Sequence, residues 1–270
     1  MRSLQRVAVH AAAVAPEGVL VVDGVLPWTV LAHGETPEAA VRRLLGAEAT
    51  VGELLAVLDG HREADGVDLH TVHLVLAVRP AVEPAAAQRV RVGDDWPLAA
   101  DDLVVVEQGE LLRLAPPSTP DAPVLRQRLA CYAVVVADGS ILLTRLSSNT
   151  PSPGRWTLPG GGVDHGEHPL TAVVREVHEE TGMDVDVDRL AEIGAEHFTG
   201  RSPRGVLEDF HAVRVLVTAT PRAVREPEVL DVGGSTDLAR WVPFGEAQSI
   251  GLVGVAQRGL DIALRHQSRS

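Results

Sequence analysis

The stretch "LPGGGVDHGEHPLTAVVREVHEETGM" at residues 158–183 combines a glycine-rich turn with a segment of helical periodicity. Pro169 suits the first turn of a helix and Gly182 suits its end, so the sequence predicts a helix over 169–181. One face of this helix would be apolar, formed by Leu170, Val173, Val174 and Val177. The neighbouring face, within an arc of roughly 100°, carries three carboxylates, those of Glu176, Glu179 and Glu180.

Carboxylates at positions i, i+3 and i+4 of a helix lie side by side and repel one another when nothing positive lies between them. Hard divalent cations such as Mg²⁺ bind carboxylate oxygens, with water and substrate phosphates completing the coordination. The glycines at 160–162 would let backbone carbonyls and amides approach a ligand closely. The pattern therefore indicates either a solvated acidic surface or a site for a divalent cation.

Gly161, Glu167 and the run "REVHEETGM" at 175–183 resemble the Nudix box in every fixed position. The segments "GRWTLPGG" and "ARWVP" on either side also resemble this family, which extends the resemblance over residues 127 to about 248. The resemblance implies a Mg²⁺- or Mn²⁺-dependent hydrolase that cleaves a pyrophosphate bond in nucleoside diphosphate-linked or nucleoside triphosphate substrates. The alternative is a Nudix-fold sensor that binds a nucleotide metabolite without hydrolysing it.

The resemblance also implies roles for individual residues. The metal ligands would be the carbonyl of Gly160 and the carboxylates of Glu176, Glu179 and Glu180. Arg175 would orient a glutamate of the helix, and Glu167 would brace the loop or bind an outer metal ion. The general base is left open between a box glutamate and three carboxylates of a later stretch, Glu226, Glu228 and Asp237.

Substrate contacts are expected in the segment that follows the box. Arg201 and Arg204 would reach a phosphate and Phe198 a base, the alternatives being ordinary surface arginines and a core phenylalanine. Residues 184–202 lack the proline typical of ADP-sugar enzymes of the family and the tyrosine typical of its dinucleoside-polyphosphate enzymes. Nucleoside triphosphates and assorted diphosphate derivatives remain as expected substrates.

Composition restricts the other classes of function. The net charge is −13 and all 24 basic residues are arginine, so binding of bulk nucleic acid, and with it RNA pyrophosphohydrolase activity, is not expected. A single cysteine fits a reducing compartment, and no apolar stretch approaches the length of a membrane span, so we expect a cytoplasmic protein. His165 and His168 flank a turn without further ligands, so zinc is not expected.

Two halves of the chain repeat one pattern on either side of a proline-rich linker at 116–126. "RVAVHAAAVAPEGVLVV" at 6–22 matches "RLACYAVVVADGSILLT" at 128–144, and similar matches follow in register. We therefore predict tandem Nudix-like α/β/α sandwiches with mixed sheets, of α/β (α+β) class, over 1–115 and 127–270.

The first copy is predicted to be degenerate and non-catalytic. The positions of the three box glutamates are occupied there by Leu44, Ala47 and Glu48. Leucine and alanine side chains cannot bind Mg²⁺, so the expected roles of this copy are shaping the substrate pocket, holding a homodimer or binding an effector. Catalysis is assigned to the second copy.

Overall fold

The computed structural model describes residues 2–64, 66–96, 123–201 and 205–267. Arg204 and residues 116–122 of the predicted linker lie outside the described residues. No helix within the described ranges is long and apolar enough to cross a membrane.

The described residues of the first half form seven strands and one helix. These are β1 (Arg2–Ala12), β2 (Val14–Ala15), β3 (Gly18–Val22), β4 (Trp28–Val30), α1 (Pro37–Leu45), β5 (Thr50–Ala64), β6 (Val67–Arg79) and β7 (Ala87–Val90). One sheet has the order β4-β1-β6-β5, and it is mixed because β1 runs parallel to β6. A smaller antiparallel sheet has the order β2-β3-β7.

The second half builds a larger mixed sheet of seven strands. Its elements are β8 (Val124–Ala137), β9 (Ser140–Leu146), β10 (Trp156–Thr157), β11 (Gly160–Gly162), α2 (Pro169–Thr181), β12 (Val185–Arg201), β13 (Leu207–Pro221), β14 (Thr236–Pro243), α3 (Phe244–Ala247) and α4 (Gly254–Gln267). The main path is β10-β9-β8-β13-β12, and β11 pairs with β8 while β14 pairs with β9. Strand β8 begins at Val124, inside the linker predicted over 116–126. The predicted α+β class with mixed sheets is confirmed.

The predicted helix over 169–181 is confirmed as α2. The Nδ1 atom of His168 accepts the backbone N–H of Leu170 at 3.1 Å, and Gly182 ends the helix at φ 65°. Val173 and Val177 are fully buried on the apolar face. Burying each of these side chains stabilises the docked helix by about 1.5–3 kcal/mol.

Leu252, Val255, Leu260 and Leu264 lie at broadly helical spacing in the sequence and predict a helix over 250–266, but α4 begins later than expected, at Gly254. The residues before it are extended, because Trp156 donates its N–H to the Gly251 carbonyl at 2.9 Å and accepts the N–H of Val253 at 2.9 Å. Pairing with strand β10 therefore displaces the first predicted turn of α4.

The two halves have similar strand topology and pack against each other. The parallel pair β1–β6 corresponds to β8–β13, and the irregularities of β5 around Leu54 recur in β12 around Leu190. Two hydrogen bonds cross between the halves symmetrically: the Gln5 side chain donates to the Val163 carbonyl at 3.4 Å, and that of Gln127 to the Leu31 carbonyl at 3.3 Å.

A single apolar core joins the halves. Val7, Val72 and Leu74 of the first half belong to the same buried cluster as Leu129 and Val215 of the second. Because this cluster also contains the apolar face of α2, the position of the acidic helix depends on packing from both halves.

Candidate active site

Strand β11 brings backbone atoms directly to the carboxylates of α2. The N–H of Gly160 donates to Oε2 of Glu180 at 3.0 Å. Gly160 has φ +138°, and a Cβ there would collide with the carbonyl oxygen of Cys131. A Cβ on Gly161 would lie 2.6–2.8 Å from the carboxylate of Glu176. Glycine is required at both positions for the helix and the strand to approach this closely.

Glu180 is the most enclosed carboxylate of the helix, with 5% of its surface exposed. Its Oε1 atom accepts hydrogen bonds from the hydroxyls of Thr236 at 2.6 Å and Ser235 at 3.3 Å. Burial raises the pKa of Glu180 to about 7, against the lowering effect of these donors and of Gly160. The hydrogen-bond partners of this carboxylate in the described structure are all neutral, so none of them compensates its negative charge when it ionises.

Arg175 ties the loop before the helix to the helix itself. Its Nε and Nη2 atoms donate to the two carboxylate oxygens of Glu167, each at 2.9 Å. Its Nη1 atom donates to Glu176 at 2.9 Å and to Glu179 at 3.0 Å. The hydrogen bonds from Arg175 lower the pKa of Glu167, and those with Glu167 and Glu176 raise the pKa of Arg175 despite its burial.

The remaining helix carboxylates face more open surroundings. The Glu176 side chain is 17% exposed and that of Glu179 is 44% exposed. Burial raises the pKa of Glu176, although its hydrogen bond with Arg175 acts in the opposite direction. Three carboxylates, those of Glu167, Glu176 and Glu179, thus share one guanidinium, and Glu180 receives hydrogen bonds from neutral groups alone in the described structure. Oxygen donors with excess negative charge are the ligands that Mg²⁺ and Mn²⁺ prefer, so these residues fit a divalent cation.

A cleft of about 390 Å³ opens beside Glu180. Its walls come from the turn after β9 and from the segment leading into β14, with lining residues Ser147, Ser148, Asn149, Val229, Val232, Gly233, Gly234, Thr236 and Asp237. A larger cavity of about 450 Å³ lies in the first half, lined by residues such as Arg79 and Arg89, away from the glutamates. The cleft shares Thr236 with Glu180, which connects it to the acidic site.

The three candidates for the general base are placed differently. Asp237 lines the cleft, and its carboxylate accepts a hydrogen bond from Arg145 at 2.8 Å. Glu228 and Glu226 are solvent-exposed. The backbone N–H of Glu228 donates to the Thr181 carbonyl at 3.0 Å, which places it at the carboxyl end of α2.

Phe198 and Arg201 lie far along the β12–β13 hairpin from the glutamates. Phe198 pairs with Phe210 on β13. Six residues further along β13, Leu216 pairs with Tyr132 of β8, which pairs in turn with Gly160 of β11. Six residues of strand span about 20 Å, so the structure does not bring these side chains to the acidic site. Phe198 is 50% exposed rather than in the core, and the Arg201 guanidinium donates to the Gly205 carbonyl at 2.8 Å.

Sequence reasoning missed the residues that hold Glu180. Ser235 and Thr236 come more than fifty positions after it and belong to no recognisable motif. Their hydroxyls reach the carboxylate because β14 pairs with β9, next to β8. The only signal was their place just before the strand "DLARWVP".

The histidines before α2 have neighbours from the other half of the chain. His165 contacts Asp68 at 2.8 Å, with His61 close by, and Nε2 of His168 lies 3.1 Å from the Val57 carbonyl. The expectation that no further ligands surround His165 is therefore wrong. The added groups come from β5 and β6, about one hundred residues away in sequence, so local spacing gave no sign of them.

The first half keeps the arginine clamp but not the carboxylates. Arg43 donates to both oxygens of Glu35, at 2.8 and 2.9 Å, as Arg175 does to Glu167. Helix α1 ends at Leu45, where Gly46 has φ 100°. Ala47 and Glu48 follow this end and are exposed, so the helix stops before the positions equivalent to the last two box glutamates.

Comparison with curated proteins finds several partial relatives. A MutT-like protein of Streptomyces ambofaciens is 41% identical over 80 residues, covering 30% of this chain and 49% of the relative. An ADP-ribose pyrophosphatase of Methanocaldococcus jannaschii is 40% identical over 81 residues, covering 30% of this chain and 46% of the relative. The chain thus spans about half the length of these relatives or less.

Comparison with solved structures and with family models gives further matches. A MutT NUDIX hydrolase from Burkholderia pseudomallei is 28% identical, with 50% of this chain and 97% of that chain covered at a TM-score of 0.35. The model of the NUDIX domain matches residues 126–260, which is half of the chain. With the helix, the glycine strand and the arginine clamp arranged as described, this match shows that the protein belongs to the NUDIX family.

Proposed function

We propose that this protein is a divalent-metal-dependent hydrolase that cleaves a pyrophosphate bond in nucleoside diphosphate-linked or nucleoside triphosphate substrates. The observation that carries the proposal is the buried, uncompensated carboxylate of Glu180 beside Glu176 and Glu179 on one helix face. A charge buried this deeply is costly unless an opposite charge lies near it. A divalent cation held by these carboxylates would supply that charge.

Mg²⁺ or Mn²⁺ would be held by Glu176, Glu179 and Glu180, with the Gly160 carbonyl as a further ligand. When bound, the cation neutralises phosphate charge and lowers the pKa of water. Arg175 keeps Glu176 and Glu179 in place through charge-assisted hydrogen bonds, and Glu167 anchors the other side of its guanidinium.

The nucleoside part of the substrate is proposed to occupy the cleft of about 390 Å³ beside Thr236. Its hydroxyl and amide groups, from Ser147, Ser148 and Asn149, are suited to hydrogen bonds with a sugar or a base. Asp237 is the general-base candidate that lines this cleft, so we propose it for activation of water over Glu226 and Glu228. Arg201 and Phe198 are not part of the proposed site.

The first half, residues 1–115, is proposed to be a degenerate, non-catalytic copy of the second half, residues 127–270. It retains the Glu35–Arg43 clamp and the strand order around β1 and β6, and it contributes apolar side chains to the core beneath α2. Its proposed role is to pack against the catalytic half and stabilise it, as the second subunit of a dimer would.

A panel assay tests the proposal. The full chain is incubated with nucleoside triphosphates, ADP-ribose and other nucleoside diphosphate derivatives in Mg²⁺, and released phosphate and nucleotide products are identified. Matched reactions contain excess chelator, and circular dichroism of the chelated protein checks the fold. We expect product with at least one class of compound in Mg²⁺ and none in chelator, with α2 still folded.

Two results would contradict the proposal. Full turnover in excess chelator would remove the metal from the mechanism. Saturable binding of a nucleotide, measured by calorimetry, without turnover of any compound in Mg²⁺ or Mn²⁺ would favour the sensor instead.

A further inference from the structure

Two groups of imidazole and carboxylate side chains lie where the halves meet, apart from the helix glutamates. The first histidine group comprises His61, Asp68 and His165. The second histidine group comprises His33, His197 and Asp209. Within each group, three nitrogen or oxygen atoms of a kind that binds metals lie within 4.8 Å of one another. Each group takes one residue from a loop before a helix and two from the long hairpin of the other half.

In the first histidine group the carboxylate lies between the two imidazoles. Asp68 Oδ2 is 2.8 Å from His165 Nε2, and Asp68 Oδ1 is 3.7 Å from His61 Nδ1. The two imidazole rings are 5.7 Å apart and perpendicular. Ligand atoms about 2.0 Å from a tetrahedral ion lie about 3.3 Å from each other. The two distances from the Asp68 oxygens to the histidine nitrogens, 2.8 and 3.7 Å, lie on either side of that value.

The second histidine group has the same arrangement. Oδ1 of Asp209 contacts Nε2 of His197 and lies 3.3 Å from Nε2 of His33. The rings of His33 and His197 are 5.2 Å apart at 88°. Nε2 of His33 is buried without a hydrogen-bond partner, so this nitrogen faces the group unsatisfied.

In each group, a glycine of the loop before the helix lies against the histidine that comes from the hairpin of the other half. Gly166 follows His165 with φ +84°, and a Cβ on it would lie 3.2 Å from the imidazole of His61. Gly34 follows His33 with φ +79°, and a Cβ on it would lie 3.2 Å from the imidazole of His197. The backbone of each loop therefore makes room for the histidine of the partner hairpin.

The two halves have diverged elsewhere but agree here. Leu44 replaces the equivalent of Glu176, and α1 is four residues shorter than α2. The strand bounds differ as well: β5 ends at Ala64 and β6 begins at Val67, whereas β12 ends at Arg201 and β13 begins at Leu207. Retention of two histidines and one aspartate at equivalent places in both groups is not explained by a shared catalytic role, because the first half lacks the catalytic carboxylates.

A third imidazole borders each group. His70 also forms a set of possible ligand atoms with Asp59 and His61, but this set shares His61 with the first histidine group and so is not a separate site. Nδ1 of His70 accepts the Gly166 N–H at 3.2 Å and lies 3.1 Å from the Gln5 amide nitrogen. Nδ1 of His211 lies 3.0 Å from the Gln127 amide nitrogen. These contacts hold the outer imidazoles in place behind the two groups.

We propose that each histidine group binds a divalent transition-metal cation of the zinc class. Two imidazoles and one carboxylate are a ligand set of late first-row metals, with water in the remaining position, whereas Mg²⁺ prefers oxygen. The ligands are reachable from solvent, since the Asp68 and His61 side chains are 19% and 43% exposed. Because each group has ligands from both halves, the two ions link the loop before each helix to the opposite hairpin.

The test counts bound zinc in the full chain prepared without a polyhistidine tag. Protein stripped with chelator is returned to millimolar Mg²⁺, which occupies the oxygen site at the glutamates, and Zn²⁺ binding is measured by calorimetry and elemental analysis. We expect two equivalents in the unmodified chain, one in Asp68→Asn, one in Asp209→Asn and none in the double variant.

Asp184→Asn is the matched control. Asp184 pairs with His178 at 3.0 Å on the surface, which gives one imidazole and one carboxylate but no second histidine. This variant should keep both equivalents. Zinc should also raise the Tm of the unmodified chain by roughly 5 °C or more at saturating concentration, and this shift should be absent in the double variant.

Two results would overturn the proposal: no zinc bound by the unmodified chain, or uptake that is the same in the double variant as in Asp184→Asn. Where an aspartate variant fails to fold, His61→Gln and His197→Gln replace it. Independently of every variant, Co²⁺ added to the unmodified chain should give visible absorption bands of a nitrogen-containing site. A spectrum identical to that of aqueous Co²⁺ would also overturn the proposal.

Discussion

At the scale of single residues, the glycines of β11 and the burial of Glu180 control the site. A charged carboxylate is tolerated beside backbone only where hydrogen-bond donors face it, and Gly160, Ser235 and Thr236 provide them. Gly161 leaves the space that the Glu176 carboxylate fills. Both features place charge where a cation would bind.

Gly161→Ala should displace Glu176 and lower kcat/KM by about 100-fold, because small misplacements of reacting groups cost that much. Its Cβ would lie 2.6–2.8 Å from the Glu176 carboxylate. Gly162→Ala is the control, since a Cβ there meets only the Arg128 guanidinium at 3.8 Å. Steady-state kinetics of both variants, with circular dichroism spectra, make the comparison. Equal activities would show that the position of Glu176 does not matter.

The stability of the metal-free protein should depend on the ionisation of Glu180. Its pKa of about 7 in the folded protein exceeds the ordinary value of 4.5, so the folded state binds this proton more tightly than the unfolded state. The resulting stabilisation is complete below pH 4.5 and is lost as the pH rises through 7, by about 3 kcal/mol in total.

Urea unfolding in chelator at pH 5 and pH 8 measures this effect. Glu180→Gln cannot ionise, so its stability should fall by about 2.5 kcal/mol less than that of the unmodified chain over this interval. Added Mg²⁺ should restore much of the loss at pH 8 in the unmodified chain. Parallel losses in the two proteins would contradict the raised pKa.

At the scale of elements, the clamp between the loop and α2 is the decisive contact. One planar guanidinium donates to Glu167, Glu176 and Glu179, which fixes the helix relative to the loop before it. A lysine ammonium is a point charge and does not reproduce the several directed hydrogen bonds of a guanidinium. The same clamp in α1, between Arg43 and Glu35, holds a helix that carries no cluster of carboxylates.

Arg175→Lys should therefore lower activity about 10- to 100-fold and weaken the apparent affinity for Mg²⁺, because Glu176 and Glu179 lose their orienting donor. Arg43→Lys makes the corresponding change in the first half and should leave both quantities within about twofold. A titration of activity against Mg²⁺ concentration for the two variants measures the difference. Similar losses would mean that the clamp acts only through general stability.

The elements themselves were largely predictable from sequence. Pro169 and Gly182 marked both ends of α2, and the spacing of Val173 and Val177 indicated its buried face. Contacts between distant segments were not predictable, because local patterns say nothing of which strands become neighbours. Thr236 reaches Glu180 through strand pairing, and Asp68 reaches His165 through the packing of the two halves.

At the scale of the whole molecule, two halves of similar strand topology share a core, and among the described helices α2 alone carries the three box glutamates. The leucine and alanine at positions 44 and 47 indicated this from sequence, and the structure adds a second reason. Helix α1 ends at Leu45, so Glu48 lies beyond the helix and is exposed. Restoring glutamate at 44 and 47 would therefore not rebuild the site.

The central claim, that one half holds a metal-dependent site built on Glu180, is tested most directly by comparing Glu180→Gln with Glu48→Gln on one substrate in saturating Mg²⁺. Glu180→Gln should lower kcat by about 100-fold or more, because it removes one key electrostatic group from the site. Glu48→Gln should leave kcat within about twofold, since its side chain is exposed outside α1. Equal losses in the two variants, or unmodified turnover by Glu180→Gln, would contradict the account.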